Sequence, residues 1–227
     1  MTSDAERPER GLSADGPGAP PASSASVRAD TGPADERVRI REVRLLSDNH
    51  YVLKTTTFDY RRRDGTWQTL SRETYDRGNG ACVLLYDPDR GTVLLTRQFR
   101  FPAFVNGHPE PLLEVVAGLL DARDPETAIR AEAEEEAGCR VSGLERVFEA
   151  FMSPGSVTER LAFFVARYSA ADRLGAGGGL VEEGEDIEVV ELAFDAALAM
   201  VGRGAIVDAK TILLLQHAAL NGLLSRA

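Results

Sequence analysis

Cysteine is scarce in this chain: Cys82 and Cys139 are the two among 227 residues, each inside an apolar or helical pattern without metal-ligand spacing. That usage argues against a disulfide framework and predicts two buried free thiols in a reducing compartment. Histidine is nearly as sparse, and His50, His108 and His217 show no ligand spacing, so none is read as catalytic. No apolar run is long enough to span a bilayer, and the start of the chain has no stretch resembling a secretion signal, which makes the cytoplasm the expected location. Positive charge is outnumbered, with 26 Lys and Arg against 36 Asp and Glu for a formal charge of -10. Such a surface is repelled by nucleic-acid backbones and anionic membranes, which argues against both as main partners. A small ligand escapes this argument, because a bound cation inverts the charge of a local site.

The length allows one good core, so a single domain with an appendage is expected. Residues 1–36 are rich in Ala, Pro, Ser, Gly and Asp with almost no large apolar side chain. Such a composition buries too little surface to offset ordering entropy and predicts a disordered tail. From Val38 the texture is that of strands: "VRIREVRLL", "YVLKTTTFDY", and "RRRDGTWQTL" with a hairpin turn at Asp64-Gly65. "GNGACVLLYD", "TVLLTRQF", "PLLEVVAG", "GLERVFEAFM", "RLAFFVARY" and "IEVVELAF" continue the strand pattern. Helices are expected over 125–137, with Asp124 as N-cap, Pro125 at the first position and Gly138 as stop. Two more follow: a short one capped by Asp195, and a last one opened by Asp208 with Ile212, Leu215 and Ala219 on one face. The loop "GAGGGLVEEGED" is too long and glycine-rich for mere connection and is read as functional.

The first of those helices contains "AEAEEEAGC". Residues three and four apart share a helix face, so Glu132, Glu135 and Glu136 converge while Glu134 points elsewhere. Like charges on one face destabilise a helix unless compensated. A solvated acidic face is one explanation. Hard carboxylate oxygens that hold Mg²⁺ or Mn²⁺ are the other, and the preceding hydrophobic strand ending in glycine favours it.

These residues resemble the Nudix hydrolases, whose box is written G-x5-E-x7-R-E-U-x-E-E-x-G-U, with U a bulky apolar residue. Gly118, Glu132, Glu135, Glu136 and Gly138 match it. The chain departs from the box in four ways: the spacing from Gly118 is one residue short, Asp124 or Glu126 only approximates the first glutamate, Ala131 stands at the arginine position, and Cys139 at the last apolar one. Neighbouring Arg130 is the candidate to replace that arginine. "LLSDNHYVL", "YDRGNGACVLLYD", "RQFR", "FMSPGSVTER" and "DAKTILLL" extend the resemblance to the GDP-mannose pyrophosphatase branch, close to the ADP-ribose pyrophosphatases.

The resemblance implies an α+β fold: an α/β/α sandwich with a mixed β-sheet over 77–227, preceded by an antiparallel β-meander over 37–76 exchanged within a homodimer. It implies Mg²⁺-dependent, or Mn²⁺-dependent, hydrolysis of a nucleoside diphosphate sugar, GDP-mannose giving GMP and mannose 1-phosphate. The implied metal ligands are Glu132, Glu136, the Ala117 carbonyl and Glu185, with Glu135 a ligand or a support to one. Glu185 is also the candidate general base, with Glu183 and Glu135 as further catalytic candidates. Arg72, Arg100, Ser153 and Gly118 are the implied substrate-binding positions. Arg72 and Arg100 read equally well as surface arginines, and "SPG" at 153–155 as a plain turn. Tyr51, Tyr75 and Trp67 either stack a base or serve core and interface. Three rival readings stay open: an ADP-ribose or ADP-sugar pyrophosphatase, a nucleotide-sugar sensor that does not hydrolyse, and an acidic globular protein without metal.

Overall fold

β-Branched and aromatic residues build the first three strands, β1 (Val38–Asp48), β2 (Val52–Arg61) and β3 (Trp67–Asp76), into an antiparallel meander. The turn at Asp64-Gly65 closes as expected: Gly65 is left-handed at φ 86 and the Asp64 carboxylate accepts the Thr66 N–H at 3.0 Å. No residue of these strands is fully buried, so neither face of the meander is a core within one chain. The computed structural model describes residues 37–180, 182 and 184–224; the expected tail over 1–36 lies outside them.

The second sheet is mixed. β4 (Gly80–Asp87), β5 (Thr92–Gln98), β8 (Leu144–Phe151), β9 (Arg160–Arg167) and β10 (Ile187–Ala193) run in the order β10-β5-β4-β9-β8, with β4 and β9 parallel. β6 (Leu112–Glu114) pairs β5 and β7 (Val116–Leu119) pairs β4. The expected single strand "PLLEVVAG" is thus two, broken at Val115 where the chain passes from one neighbour to the other. Alternate residues of β4 face opposite cores, as a two-residue side-chain period requires. Cys82 and Leu84 lie with α3 (Phe194–Gly202) and α4 (Ala209–Leu220), while Ala81, Val83 and Leu85 lie with α2 (Pro125–Ala137). This is the expected α/β/α sandwich, and both cysteines are buried free thiols.

Two local expectations are corrected, and one short helix is added. The cap position of α3 is Ala193, and Asp195 lies inside the first turn. The buried face of α4 is Thr211, Leu214, Leu215 and Ala218, while Ala219 is exposed, because the helix is rotated to bring the Thr211 hydroxyl under β6 and β7. A short helix, α1 (Phe101–Val105), occupies a segment with no side-chain cap to announce it.

Candidate active site

The capping chemistry of α2 fixes where its glutamates point. Asp124 accepts the N–H groups of Glu126 and Thr127 at 3.1 and 3.0 Å, and Gly138 ends the helix in the left-handed conformation. Ala128, Ile129, Ala133 and Ala137 then face the sheet, and Glu136 shares that buried face. Glu134 turns outward to pair with Arg140 at 3.8 Å, while Glu132 and Glu135 flank the buried stripe half-exposed. The carboxylate of Glu136 accepts the Ala117 N–H at 3.3 Å. Burial pushes its pKa up to about 8, the charges of Glu132 and Glu185 add to the rise, and the Ala117 N–H and Arg100 oppose it. Three acids from two elements therefore act on one region.

Glu185 reaches that region because the glycine loop docks on the C-terminal turn of α2. Orphan carbonyls end every helix. Here Gly178 N–H donates to the Glu136 carbonyl at 2.9 Å, Gly179 N–H to that of Glu135 at 3.3 Å, and Leu174 N–H to that of Gly138 at 2.7 Å. Such close approach needs a bare α-carbon: a Cβ on Gly177 would lie 2.3 Å from the Glu136 carbonyl oxygen. The loop then folds back so that the Leu180 N–H donates to the Glu185 carboxylate at 2.9 Å. Glu183 lies outside the described residues.

Glu132 rests on the backbone of Gly118, where a Cβ would come within 2.2 Å of its carboxyl carbon. Gly118 therefore serves the site by absence of a side chain. The turn after β7 holds two consecutive left-handed residues that are not glycine, Asp121 at φ 44 and Ala122 at φ 69. Each such residue stores about 1–3 kcal/mol of strain. Arg123 follows them, its N–H closing on the Leu120 carbonyl at 2.7 Å and its guanidinium 3.5 Å from Glu132. Arg130 does not replace the missing box arginine: its guanidinium donates to the Val141 carbonyl and stands 3.9 Å from Glu126.

Arg100 belongs to a buried network that sequence reasoning missed. Its Nε and Nη2 donate to the two oxygens of Glu114 at 2.7 and 3.2 Å. Lys210 also donates to Glu114 and, at 2.9 Å, to Asp208, which caps α4 by accepting from Thr211. Burial pushes the Glu114 pKa up, but Lys210 and Arg100 outweigh it and hold the carboxyl below its ordinary range. Its stabilising effect is therefore present above the ordinary carboxylate pKa and lost as acid titrates it. The side chain of Arg100 keeps 42% exposure and its charge acts on Glu136, so it borders the acids while docked on Glu114. Glu114→Ala leaves buried Lys210 short of a counter-charge and is expected to destabilise the fold by about 3–5 kcal/mol. Urea unfolding reads this, and an unchanged midpoint would mean that the network contributes nothing.

The other expected site residues lie on other elements. Arg72 lies on the meander, its guanidinium donating to the Ser71 carbonyl, beside a recess of about 550 Å³ that Arg62, Arg63 and Tyr60 also line. Ser153 is exposed and forms a turn through its carbonyl, which accepts from Ser156 and Val157. That turn lets Val157 bridge to Tyr75, joining the two sheets. Tyr75 packs edge-on against Tyr51, and Trp67 lies under Arg39. Among the described residues no three carboxylates, imidazoles or thiols are gathered tightly enough to enclose an ion.

The arrangement is a hydrophobic strand, a glycine, a capped acidic helix and a distant acidic loop stitched to that helix. A family model described as the NUDIX domain matches residues 76–215, most of the chain. The chain belongs to the Nudix family. A model described as the GDP-mannose pyrophosphatase NudK N-terminal domain matches residues 37–75, the meander. Among curated Nudix relatives, the GDP-mannose pyrophosphatase of Pectobacterium atrosepticum is 52% identical over 186 residues, 82% of this chain and 95% of the relative. That of Cronobacter sakazakii is 50% identical over 188 residues, 82% and 97% of the two chains. The Escherichia coli O1:K1 protein of the same description is 47% identical over 190 residues, 83% and 98% of the two. Nudix hydrolases generally use divalent metal ions. The donors fit such a group: they are hard oxygens, one of them is buried at a cost that a cation would offset, and glycines clear the space beside Glu132 and Glu185. Among the described residues no helix is long and apolar enough to cross a membrane.

Proposed function

We propose that this chain hydrolyses the pyrophosphate bond of a nucleoside diphosphate sugar with Mg²⁺ or Mn²⁺, taking GDP-mannose to GMP and mannose 1-phosphate. The observation that supports the reading is the docking of the glycine loop on α2, which brings Glu185 close enough for its charge to act on Glu136. The high identity to GDP-mannose pyrophosphatases over nearly their full length supports the choice of sugar nucleotide.

Glu132, Glu136 and Glu185, with the Ala117 carbonyl, are the residues that would hold the cation. A bound cation would offset charge on the phosphate oxygens and lower the pKa of an attacking water. Glu185 would otherwise accept a proton from the attacking water, with Glu135 and Glu183 as the other candidates, and Glu135 would support the ligands. Arg100, steadied by Glu114, offers its exposed guanidinium to phosphate oxygens. Gly118 leaves room for the Glu132 carboxylate, and the turn at Ser153 would shape the wall of the substrate pocket. Arg72, on the meander strand β3, would serve the site of a second subunit. The meander, exposed along most of β1 and β3, supports that homodimer, since a sheet without a core of its own needs a partner surface. Two reduced thiols fit a location in the cytoplasm.

The test is hydrolysis of GDP-mannose, GDP-glucose, ADP-ribose and ADP-glucose with Mg²⁺, with products resolved by chromatography and the enzyme sized by light scattering. GMP released preferentially from GDP-mannose, by a particle of twice the 24.6 kDa chain mass, is the expected result. AMP from ADP-ribose would keep the chemistry and overturn the substrate. No product from any of the four would favour the sensor reading, and a 24.6 kDa particle would remove the dimer.

A further inference from the structure

Ala131 occupies the position where the Nudix box carries an arginine, and an exposed methyl group orients nothing. Arg130 cannot take over, because residues two apart lie on opposite sides of a helix. Its guanidinium is bound to the carbonyls of Val141 and Ser142. Among the described residues a guanidinium from before the helix meets a glutamate of the cluster: Arg123 Nη2 stands 3.5 Å from Glu132 Oε1. Counted back along the box from Ala131, Arg123 falls where the family pattern places its first glutamate. This chain thus lacks both members of the family's Glu and Arg pair and has an arginine at the glutamate's place.

The local geometry aims that arginine. Two successive left-handed residues, Asp121 and Ala122, bend the chain sharply after β7. The Leu120 carbonyl accepts both the Arg123 N–H at 2.7 Å and its Nε at 3.4 Å, which fixes the stem of the side chain. On its other side the Glu132 carboxyl lies against the bare α-carbon of Gly118. We propose that Arg123 is a positioning residue that holds the Glu132 carboxylate ready for a cation, in place of the arginine absent from position 131. The inference rests on the metal-site reading above. Arg123 also repels a cation, but its side chain is 36% exposed and its charge is screened, so orientation outweighs repulsion.

The experiment is Mn²⁺ binding by electron paramagnetic resonance to the full chain and to Arg123→Gln, Arg123→Lys and Glu136→Gln, alongside thermal unfolding. Arg123→Gln is expected to weaken Mn²⁺ affinity about tenfold with the melting midpoint unmoved, as loss of a residue that orients a ligand does. Arg123→Lys, which keeps the charge and most of the reach, is expected to recover most of that loss. Wild-type affinity in Arg123→Gln, or equal losses in Gln and Lys, would overturn the positioning role. Should Glu136→Gln bind Mn²⁺ as the wild type does, the metal-site reading itself fails, and that outcome is distinct from failure of Arg123 alone.

Discussion

Glu136→Gln is expected to lower kcat by at least about a thousandfold while the protein stays folded. The substitution keeps the shape of the side chain and its capacity to accept the Ala117 N–H, and it removes one negative charge from the most buried acid of the cluster. A bound metal stabilises the charge of a phosphoryl transition state by several kcal/mol, and each 1.36 kcal/mol is tenfold in rate. Stability should not fall. Burial already pushes the Glu136 pKa up to about 8, so near neutral pH a neutral amide changes little in the metal-free protein. The measurement is steady-state hydrolysis of GDP-mannose together with thermal unfolding. Wild-type turnover would refute the assignment of Glu136 to the metal, whereas an unfolded variant would show that the carboxylate is structural.

Gly177→Ala is the second large effect, expected at about a hundredfold in kcat, the scale on which displacement of about 1 Å disables a catalytic group. The added methyl would meet three backbone atoms, the Glu136 carbonyl oxygen at 2.3 Å, the Ala137 carbon at 2.7 Å and the Gly138 nitrogen at 2.8 Å. None belongs to a flexible side chain, and the left-handed φ of 71 adds strain of its own. The loop has to lift, which breaks the bonds from Gly178 and Gly179 to α2 and carries Glu185 away. KM should change less than kcat, because Arg100 and Gly118 are untouched. Gly175→Ala is the control, since a Cβ there meets nothing within 4 Å and the same loop tolerates it. Equal activity in the two variants would mean that docking of the loop does not position Glu185.

How much of this could be read from the chain depends on the range over which each signal acts. Asp124, Pro125 and Gly138 carry cap chemistry that works within one turn, so both ends of α2 were legible. Asp64-Gly65 gave the hairpin for the same reason, and the grouping of Glu132, Glu135 and Glu136 followed from helical geometry alone. The break between β6 and β7 was not legible, because it depends on which strand lies alongside. The network of Arg100, Glu114 and Lys210 is not legible in the sequence because Glu114 and Lys210 are 96 residues apart and nothing local marks either. Arg123 was hidden differently: the box directs the search for an arginine to the helix, while the structure supplies it from the preceding turn.

The seating of β10 against β5 has a consequence for the order in which this enzyme comes into being. Ile187 pairs with Gln98 and Ala193 with Thr92, so one edge of β5 stays open until the chain has been made past Ala193. Contacts this distant in sequence form slowly, and an open apolar edge invites pairing with other chains. The acidic helix is complete long before, yet Glu185 arrives just ahead of the strand that closes the edge. Nascent chains are therefore inert toward substrate and most prone to aggregate in the same interval, and one late event, the docking of β10 with its glycine loop, ends both conditions.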